Sequence, residues 1–378
     1  MKVYTKAILP IGFKANGLAC GIKKSGKLDL ALFDTRLPAK AACLFTTNKI
    51  QAAPIQLNKK HLKGDRQYHS IIVNSGNANC FTGEKGLRDA EESVKALAHT
   101  LGAKKESILV ASTGIIGRRL PLLKIKRAIP ELVKGLSRAG IDKAKKAIIT
   151  TDTFTKEVTV KFNIGKRMVT ICGVAKGAGM IAPHMATMLS FILTDAKIGV
   201  GALKKALKAT VDQTFNCITV DGCMSTNDAV MVLANNAAGN PLIDINKNFV
   251  LFVQALKIVC LRLAKLIVLD AEGASKFIQI KVNRAKSFAE ARQVALSIAN
   301  SNLFKTAMYG ENPNFGRIAS AVGASGIEIK EKGLKVKVSP LNKKYIDVNV
   351  SINQGRASAT VYTSDLTCEY IKINAEYN

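Results

Sequence analysis

Tryptophan is missing from this 378-residue chain, and aromatic residues of every kind make up only 6% of it. Single-stranded nucleic acid is bound largely on stacking rings, so their scarcity counts against that class of partner. Paired metal-ligating cysteines are missing too. The eight cysteines stand at 20, 43, 80, 172, 217, 223, 260 and 368 with no CxxC, and His61, His69, His99 and His184 stand apart. No metal site is expected, and the thiols should be reduced and mostly buried. Proline is scarce (9 residues) beside 28 glycines and 48% hydrophobic residues, a globular composition that excludes disorder. The opening residues, MKVYTKAILPIGFKANG, lack an apolar segment followed by a small-residue cleavage site, which points to the cytoplasm.

Acidic residues are outnumbered about two to one: 27 Asp and Glu against 56 Lys and Arg leave a net charge of +29. Such a balance invites a basic binding protein for nucleic acid with no chemistry of its own. The lysines, however, are spread as short pairs at 23–24, 59–60, 104–105, 145–146 and 204–205, with no basic tail. The charge therefore reads as solvated surface, and nucleic acid is not an expected partner. At this length the chain has room for two or three domains with substantial cores.

Against that charged background, residues 168–195 (MVTICGVAKGAGMIAPHMATMLSFILTD) stand out because Lys176 is the only formal charge between Met168 and Asp195. A membrane span is the obvious rival for an apolar run this long. Lys176, Gly173, Gly177, Gly179 and Pro183 interrupt it, so it reads as a buried strand, a Gly-rich turn and a second buried strand beginning near Met185. No membrane association is expected. Ala186 and Thr187 are small residues in an otherwise bulky strand. A threonine hydroxyl is a poor nucleophile without a base beside it. If the hydroxyl attacks the preceding carbonyl and the chain breaks there, the freed α-amine, titrating near pH ~7.7–8.0, supplies that base. Without such chemistry Thr187 is simply a β-branched strand residue.

The run KGAGMIAPHMATML resembles the signature of the ornithine acetyltransferase family, also called the glutamate N-acetyltransferase or bifunctional arginine-biosynthesis family. Its members cleave themselves before the threonine of Met-Ala-Thr-Met-Leu, and that threonine then carries the acetyl group. The matching bond here joins Ala186 to Thr187, with Thr187 as nucleophile and its α-amine as base. The resemblance runs from about Pro10 to Tyr377, with at least seven motifs in the family's order. PIGFKANGLACGIKKSGKLDLAL looks like the family's opening. IIVNSGNANCFTG (71–83) is a strand running into an Asn- and Gly-rich turn, which reads as turn chemistry or as a nest of backbone amides for an anion, and its likeness to the family implies that the turn borders the site.

Further along, SILVA (107–111) reads as a strand feeding Ser112-Thr113-Gly114, and a Gly-flanked turn after a buried strand can aim N–H groups at an oxyanion. The resemblance gives Thr113 and Gly114 that oxyanion-hole role. Asp89–Leu101 has helical spacing closed by Gly102, and 120–138 reads as a basic helix entered at Pro121 and interrupted near Pro130. Thr150-Thr151-Asp152-Thr153 reads as a strand start or a cap, and the family makes Thr153 a substrate-binding candidate. A helix is expected over 202–215. ITVDGCMSTNDAVMVLAN (218–235) contains a turn-forming Asp221-Gly222, then Thr226 or Asn227 as the cap of a following helix.

A long apolar helix at about 247–268 leads to Glu272-Gly-Ala-Ser-Lys, whose glutamate binds substrate in the family. Ser287 opens a helix with a capping box. LKVKV, YIDVNVSI, SATVYTS and YIKINAEY read as strands. The last resembles the family's closing strand, whose Asn, Asn374 here, binds substrate. Three departures stand out: His184 where the family has Asn, Phe315 where it has Trp, and Asn378 where it ends in Thr or Ser as a substrate contact. That last contact is missing or replaced by Asn378.

The resemblance implies an α/β (α+β) fold, a layered α-β-β-α sandwich of the self-cleaving N-terminal-nucleophile-like type with a smaller C-terminal α/β domain at about 277–378. Cleavage would give an alpha chain, 1–186, and a beta chain, 187–378, associating as α2β2. The implied reaction moves acetyl from N2-acetylornithine to glutamate through acetyl-Thr187 and needs no cofactor. The substrate's carboxylate and ammonium are matched by one charge each on Lys176 and Glu272. Some family members also acetylate glutamate from acetyl-CoA, and the basic surface suits such an anionic donor. The related alternative is an aminopeptidase or amidase on the same scaffold, with water taking the acyl group.

Overall fold

The structure is a computed structural model, and it describes residues 1–64, 66–182 and 188–376. The chain forms two compact units. The first is Met1–Gly177, Thr187–Val211 and Ser225–Leu263, and the second is Ala178–Ala186, Asp212–Met224 and Ala264–Asn378.

In the first unit the chain runs β1 (Lys2–Tyr4), β2 (Phe13–Leu18), β3 (Leu30–Phe45), α1 (Ala53–His61), β4 (Tyr68–Asn77), α2 (Gly83–Leu101) and β5 (Ile108–Ile115). It continues through α3 (Leu122–Lys134), α4 (Ile141–Ala147), β6 (Lys156–Ile164), β7 (Arg167–Lys176), β8 (Leu189–Thr194), α5 (Val200–Asp212) and β9 (Ala229–Ala234) to α6 (Lys247–Leu269), whose residues from Ala264 on fall in the second unit. The strands hydrogen-bond in the order β1-β6-β7-β8-β9-β3-β4-β5, with β2 on β3. The 16 residues of β3 serve two neighbours in turn. Residues 30–34 and Ala39 pair with β4, while residues 40–45 pair with β9, with a register break between Asp34 and Ala39.

That break lets the two halves of the sheet face each other. Phe33 and Phe191 stack at 5.2 Å across the gap, in a core that also takes Ile71, Val73 and Leu109 from one half and Val174, Leu193, Met231 and Leu233 from the other. The outer face of the β3-β4-β5 half, with Leu32, Ile72 and Val110, packs on α1, α2 and α3. Val259 and Leu263 of α6 close on β7 at Gly173. This is the expected α-β-β-α layering. Strands covered on both faces read as continuous apolar runs. All six residues of β8 and all six of β9 are buried accordingly.

The second unit carries β10 (Phe277–Ala285), α7 (Phe288–Ala299), α8 (Asn302–Tyr309), α9 (Phe315–Gly323), β11 (Lys335–Val338), β12 (Tyr345–Ser351), β13 (Ala357–Ser364) and α10 (Cys368–Ala375). Its four strands run β11-β12-β10-β13, with β10 parallel to β12 and antiparallel to β13. Val294, Ile298, Phe304 and Ile318 of its helices pack on Ile280, Val348 and Val361 of the sheet.

Several sequence expectations are corrected. YIKIN alternates like a strand, but the segment is α10, because the Thr367 hydroxyl caps it by accepting the Tyr370 N–H at 3.1 Å. No helix follows Thr226-Asn227. β9 does, and Asn227 spends its side chain elsewhere. The helix α3 is not interrupted at Pro130 but runs on to Lys134. The second strand of the central stretch begins at Leu189, and the residues from Met185 to Thr187 lie outside the described ones. Among the described residues no helix is long and apolar enough to cross a membrane.

Candidate functional site

In the first unit, strand register lines up the ends of three strands. Lys176, the last residue of β7, pairs with Leu189, the first of β8, which pairs in turn with Ala229, the first of β9. The residues just beyond this row are Gly177, Met188 and Asp228. The Gly177 N–H donates to Asp152 Oδ1 at 2.7 Å, and the Met188 N–H donates to Asp228 Oδ1 at 2.9 Å.

Asp152 is the anionic centre of this end of the sheet. Its Oδ1 also accepts from Lys156 Nζ at 2.6 Å, its Oδ2 accepts the Thr150 N–H at 2.9 Å, and Lys176 Nζ lies 3.9 Å from Oδ2. All three charged side chains are buried. Burial alone would push the Asp152 carboxyl up. Lys176, Lys156 and the Gly177 N–H outweigh it and hold the carboxyl well below the usual carboxylate range. Lys23 belongs to the same field: burial, opposed by Asp29 and reinforced by Lys176, pushes its ammonium down to about 8. Its Nζ donates to the carbonyls of Leu28 (2.7 Å) and Ile149 (2.8 Å). Thr153 follows Asp152 in an exposed turn.

Thr113 and Gly114 end β5, where they pair in parallel with Ser75 and Gly76 of β4. Gly114 has φ +131°, and a Cβ there would sit 2.3 Å from the Gly76 carbonyl carbon and 2.5 Å from the Asn77 nitrogen. Only glycine fits that backbone at that approach. The strand end is fixed from β9's side, since Asn227 Nδ2 donates to the carbonyls of Ala78 (2.6 Å) and Ser112 (2.8 Å). The Asn-rich turn is built on its own side chains: Asn74 Oδ1 accepts from Ser112 Oγ at 2.6 Å, Asn77 Oδ1 accepts the Asn79 N–H at 2.8 Å, and Asn79 Nδ2 donates to the Gly86 carbonyl at 2.9 Å. It is turn chemistry, and it borders Gly114 through Gly76. Lys23 links the two regions, lying against Gly76 as well as in the field of Lys176 and Asp152.

The second unit brings Glu272 and Asn374 together: Asn374 Nδ2 donates to Glu272 Oε2 at 3.1 Å. The Glu272 N–H donates to the Ala178 carbonyl at 3.0 Å, and its carboxylate lies so close to Gly179 that a Cβ there would meet Oε2 at 2.2 Å. Asp221 collects the Met180 N–H (2.6 Å), the Ile181 N–H (2.9 Å), the Cys223 N–H (3.0 Å) and the Tyr370 hydroxyl (3.1 Å). Burial, then Asp221, pushes the Tyr370 phenol up. The Asp221-Gly222 turn is present as expected, and its carboxylate also anchors residues 180–181.

Ala186, Thr187 and Asn378 lie outside the described residues. Sequence reasoning did not single out Asp152, Lys156, Asp228 or Tyr370. The Asp152–Lys156 spacing was visible but looks like an ordinary surface pair until both prove buried. Tyr370 and Asn374 share a face only because their segment is helical.

A family model described as ArgJ family matches residues 14–343, and the chain belongs to that family. Among curated relatives, the arginine biosynthesis bifunctional protein ArgJ of Geobacter sulfurreducens is 42% identical, covering 97% of this chain and 98% of that one. Its namesake from Caldanaerobacter subterraneus subsp. tengcongensis is 44% identical over 98% of each. Among solved structures, the Mycobacterium tuberculosis ornithine acetyltransferase complexed with ornithine is 37% identical, with a TM-score of 0.45 over 48% of this chain and 97% of that chain. The Bacillus halodurans ArgJ protein is 34% identical, with a TM-score of 0.46 over 50% and 98%.

Proposed function

We propose that this chain is a glutamate N-acetyltransferase of arginine biosynthesis, transferring acetyl from N2-acetylornithine to glutamate by way of Thr187. Membership of the ArgJ family across residues 14–343 carries the reading. The chain first prepares its own nucleophile. The Thr187 hydroxyl adds to the Ala186 carbonyl, an Oγ–C bond replaces the C–N bond, and the hydroxyl proton ends on the Thr187 nitrogen. Water then hydrolyses the ester, leaving a carboxylate on Ala186 and a free hydroxyl and α-amine on Thr187.

In the transfer itself the α-amine takes the hydroxyl proton as Oγ attacks the acetyl carbonyl of N2-acetylornithine, and the same proton goes to the departing ornithine nitrogen. Glutamate's amine then attacks the acetyl ester and returns a proton to Thr187 Oγ. Thr113 and Gly114 stabilise both oxyanions. Rigid placement suits that role, because preorganised donors need no rearrangement as charge develops. Lys176, buried beside Asp152 and in the field of Lys23, takes the substrate carboxylate. Glu272, braced by Asn374, takes the ornithine ammonium. Thr153 adds a further substrate contact, and the one the family makes with its terminal Thr or Ser is missing or replaced by Asn378. Fragments 1–186 and 187–378 stay together as α2β2 in the cytoplasm.

Steady-state rates with both substrates varied test this reading. Double-reciprocal lines should be parallel, with N-acetylglutamate as product. Intersecting lines, or free acetate in place of N-acetylglutamate, would remove the covalent acetyl-threonine or the glutamate acceptor. Glu272→Gln is expected to raise KM for N-acetylornithine about tenfold with kcat within about threefold, the scale of one charge-assisted hydrogen bond. An unchanged KM would take the ammonium away from Glu272.

A further inference from the structure

Asp228 is a carboxyl that the reaction above does not use. It is 0% exposed, and it precedes β9 in the row opposite Met188, the residue covalently next to Thr187. Its two oxygens are treated unequally. Oδ1 accepts the Met188 N–H at 2.9 Å, while Oδ2 has no hydrogen-bond partner among the described residues. Its own backbone is pinned, because its carbonyl accepts the Thr46 N–H at 3.0 Å. The Thr46 hydroxyl also faces the carboxyl, but its proton is spent on the Ser225 carbonyl at 2.7 Å. The charged group in its field is Lys176, which already faces Asp152.

A buried, anionic oxygen without a donor is strongly unfavourable, whereas a protonated one brings a donor of its own. Burial pushes this carboxyl well above the usual carboxylate range, opposed more weakly by the Met188 N–H, Lys176 and the Thr46 hydroxyl. We infer that Asp228 is a positioning residue for the self-cleaving bond: as a neutral carboxylic acid it clamps the Met188 N–H and fixes the first residue after Thr187 against the start of β9. An aspartate held permanently ionised would need the opposite environment, with donors on both oxygens.

The inference rests on the Thr187 reading, and one time course separates the two. Parent, Asp228→Asn and Asp228→Ala chains are synthesised in a cell-free reaction, and conversion of full-length chain to two fragments is followed on denaturing gels. Circular dichroism of the purified proteins checks folding. The amide of Asn keeps one acceptor and one donor and carries no charge, so Asp228→Asn is expected to cleave within about threefold of the parent rate from pH 6 to 9. Asp228→Ala, folded, is expected to cleave at least about thirtyfold more slowly.

A slowing of more than tenfold in Asp228→Asn shows that an ionised carboxylate is required and overturns the inference, as does loss of its fold. Parent-like cleavage in Asp228→Ala overturns it as well. If the alanine variant does not fold, the asparagine arm decides alone, by the same thresholds. A parent chain that stays whole refutes self-cleavage itself and removes this role with it.

Discussion

The Thr187→Ala protein is expected to run as one band of about 40.5 kDa on a denaturing gel, where the parent is expected to give fragments 1–186 and 187–378. Acetyl transfer from N2-acetylornithine to glutamate is expected to fall by at least about 10³-fold, because nucleophile and base are lost in a single substitution. One substitution thus moves two independent readouts. Full cleavage with lost transfer would separate Thr187 the acyl carrier from Thr187 the cleavage residue. Retained transfer in an intact chain would place the chemistry elsewhere.

The second large effect is expected at Asp152, and on stability more than on rate. Asp152→Asn leaves Lys156, at 0% side-chain exposure, without its 2.6 Å anionic partner. Removing one member of a buried ion pair costs about 3–5 kcal/mol, since the remaining charge is still desolvated. A urea midpoint shifted by the equivalent of that energy, with unchanged slope, is the expected result. A shift below about 1 kcal/mol would mean the lysines find other compensation.

The pH dependence has a definite sign. The Asp152 carboxyl is held below its unfolded value, so its contribution is complete above about pH 4 and is lost as the solution is acidified further. The parent should therefore lose stability steeply on the acid side. Asp152→Asn should begin lower at neutral pH and show a shallower acid limb.

The parts of this molecule legible in its sequence were those governed by local pattern or by a long motif. Gly102, with φ +65°, closes α2 as expected, and α6 covers nearly the residues its apolar spacing marked. The glycines near Thr113 and Lys176 announced tight backbone. Burial by distant segments was not legible. Asp152 and Lys156 look like a solvated pair until β6 and β7 enclose them, and Asp228 looks like another turn residue after Asn227. The alternation Tyr-Ile-Lys-Ile-Asn argues for a strand as well as any in the chain. A single hydroxyl at Thr367, capping an otherwise exposed helix, decides against it. Tertiary burial and one side-chain cap outweigh local periodicity in these places.

The strand order has a consequence for a chain cut between 186 and 187. β8 and β9, both after that bond, lie between β7 and β3, both before it, and are laced to them by antiparallel ladders. The halves are interleaved like fingers of two clasped hands, so scission cannot free either piece while the sheet persists. Dialysis or gel filtration in native buffer should never resolve them. Nor should either half, made alone, find a partner for its exposed strand edges except in the other.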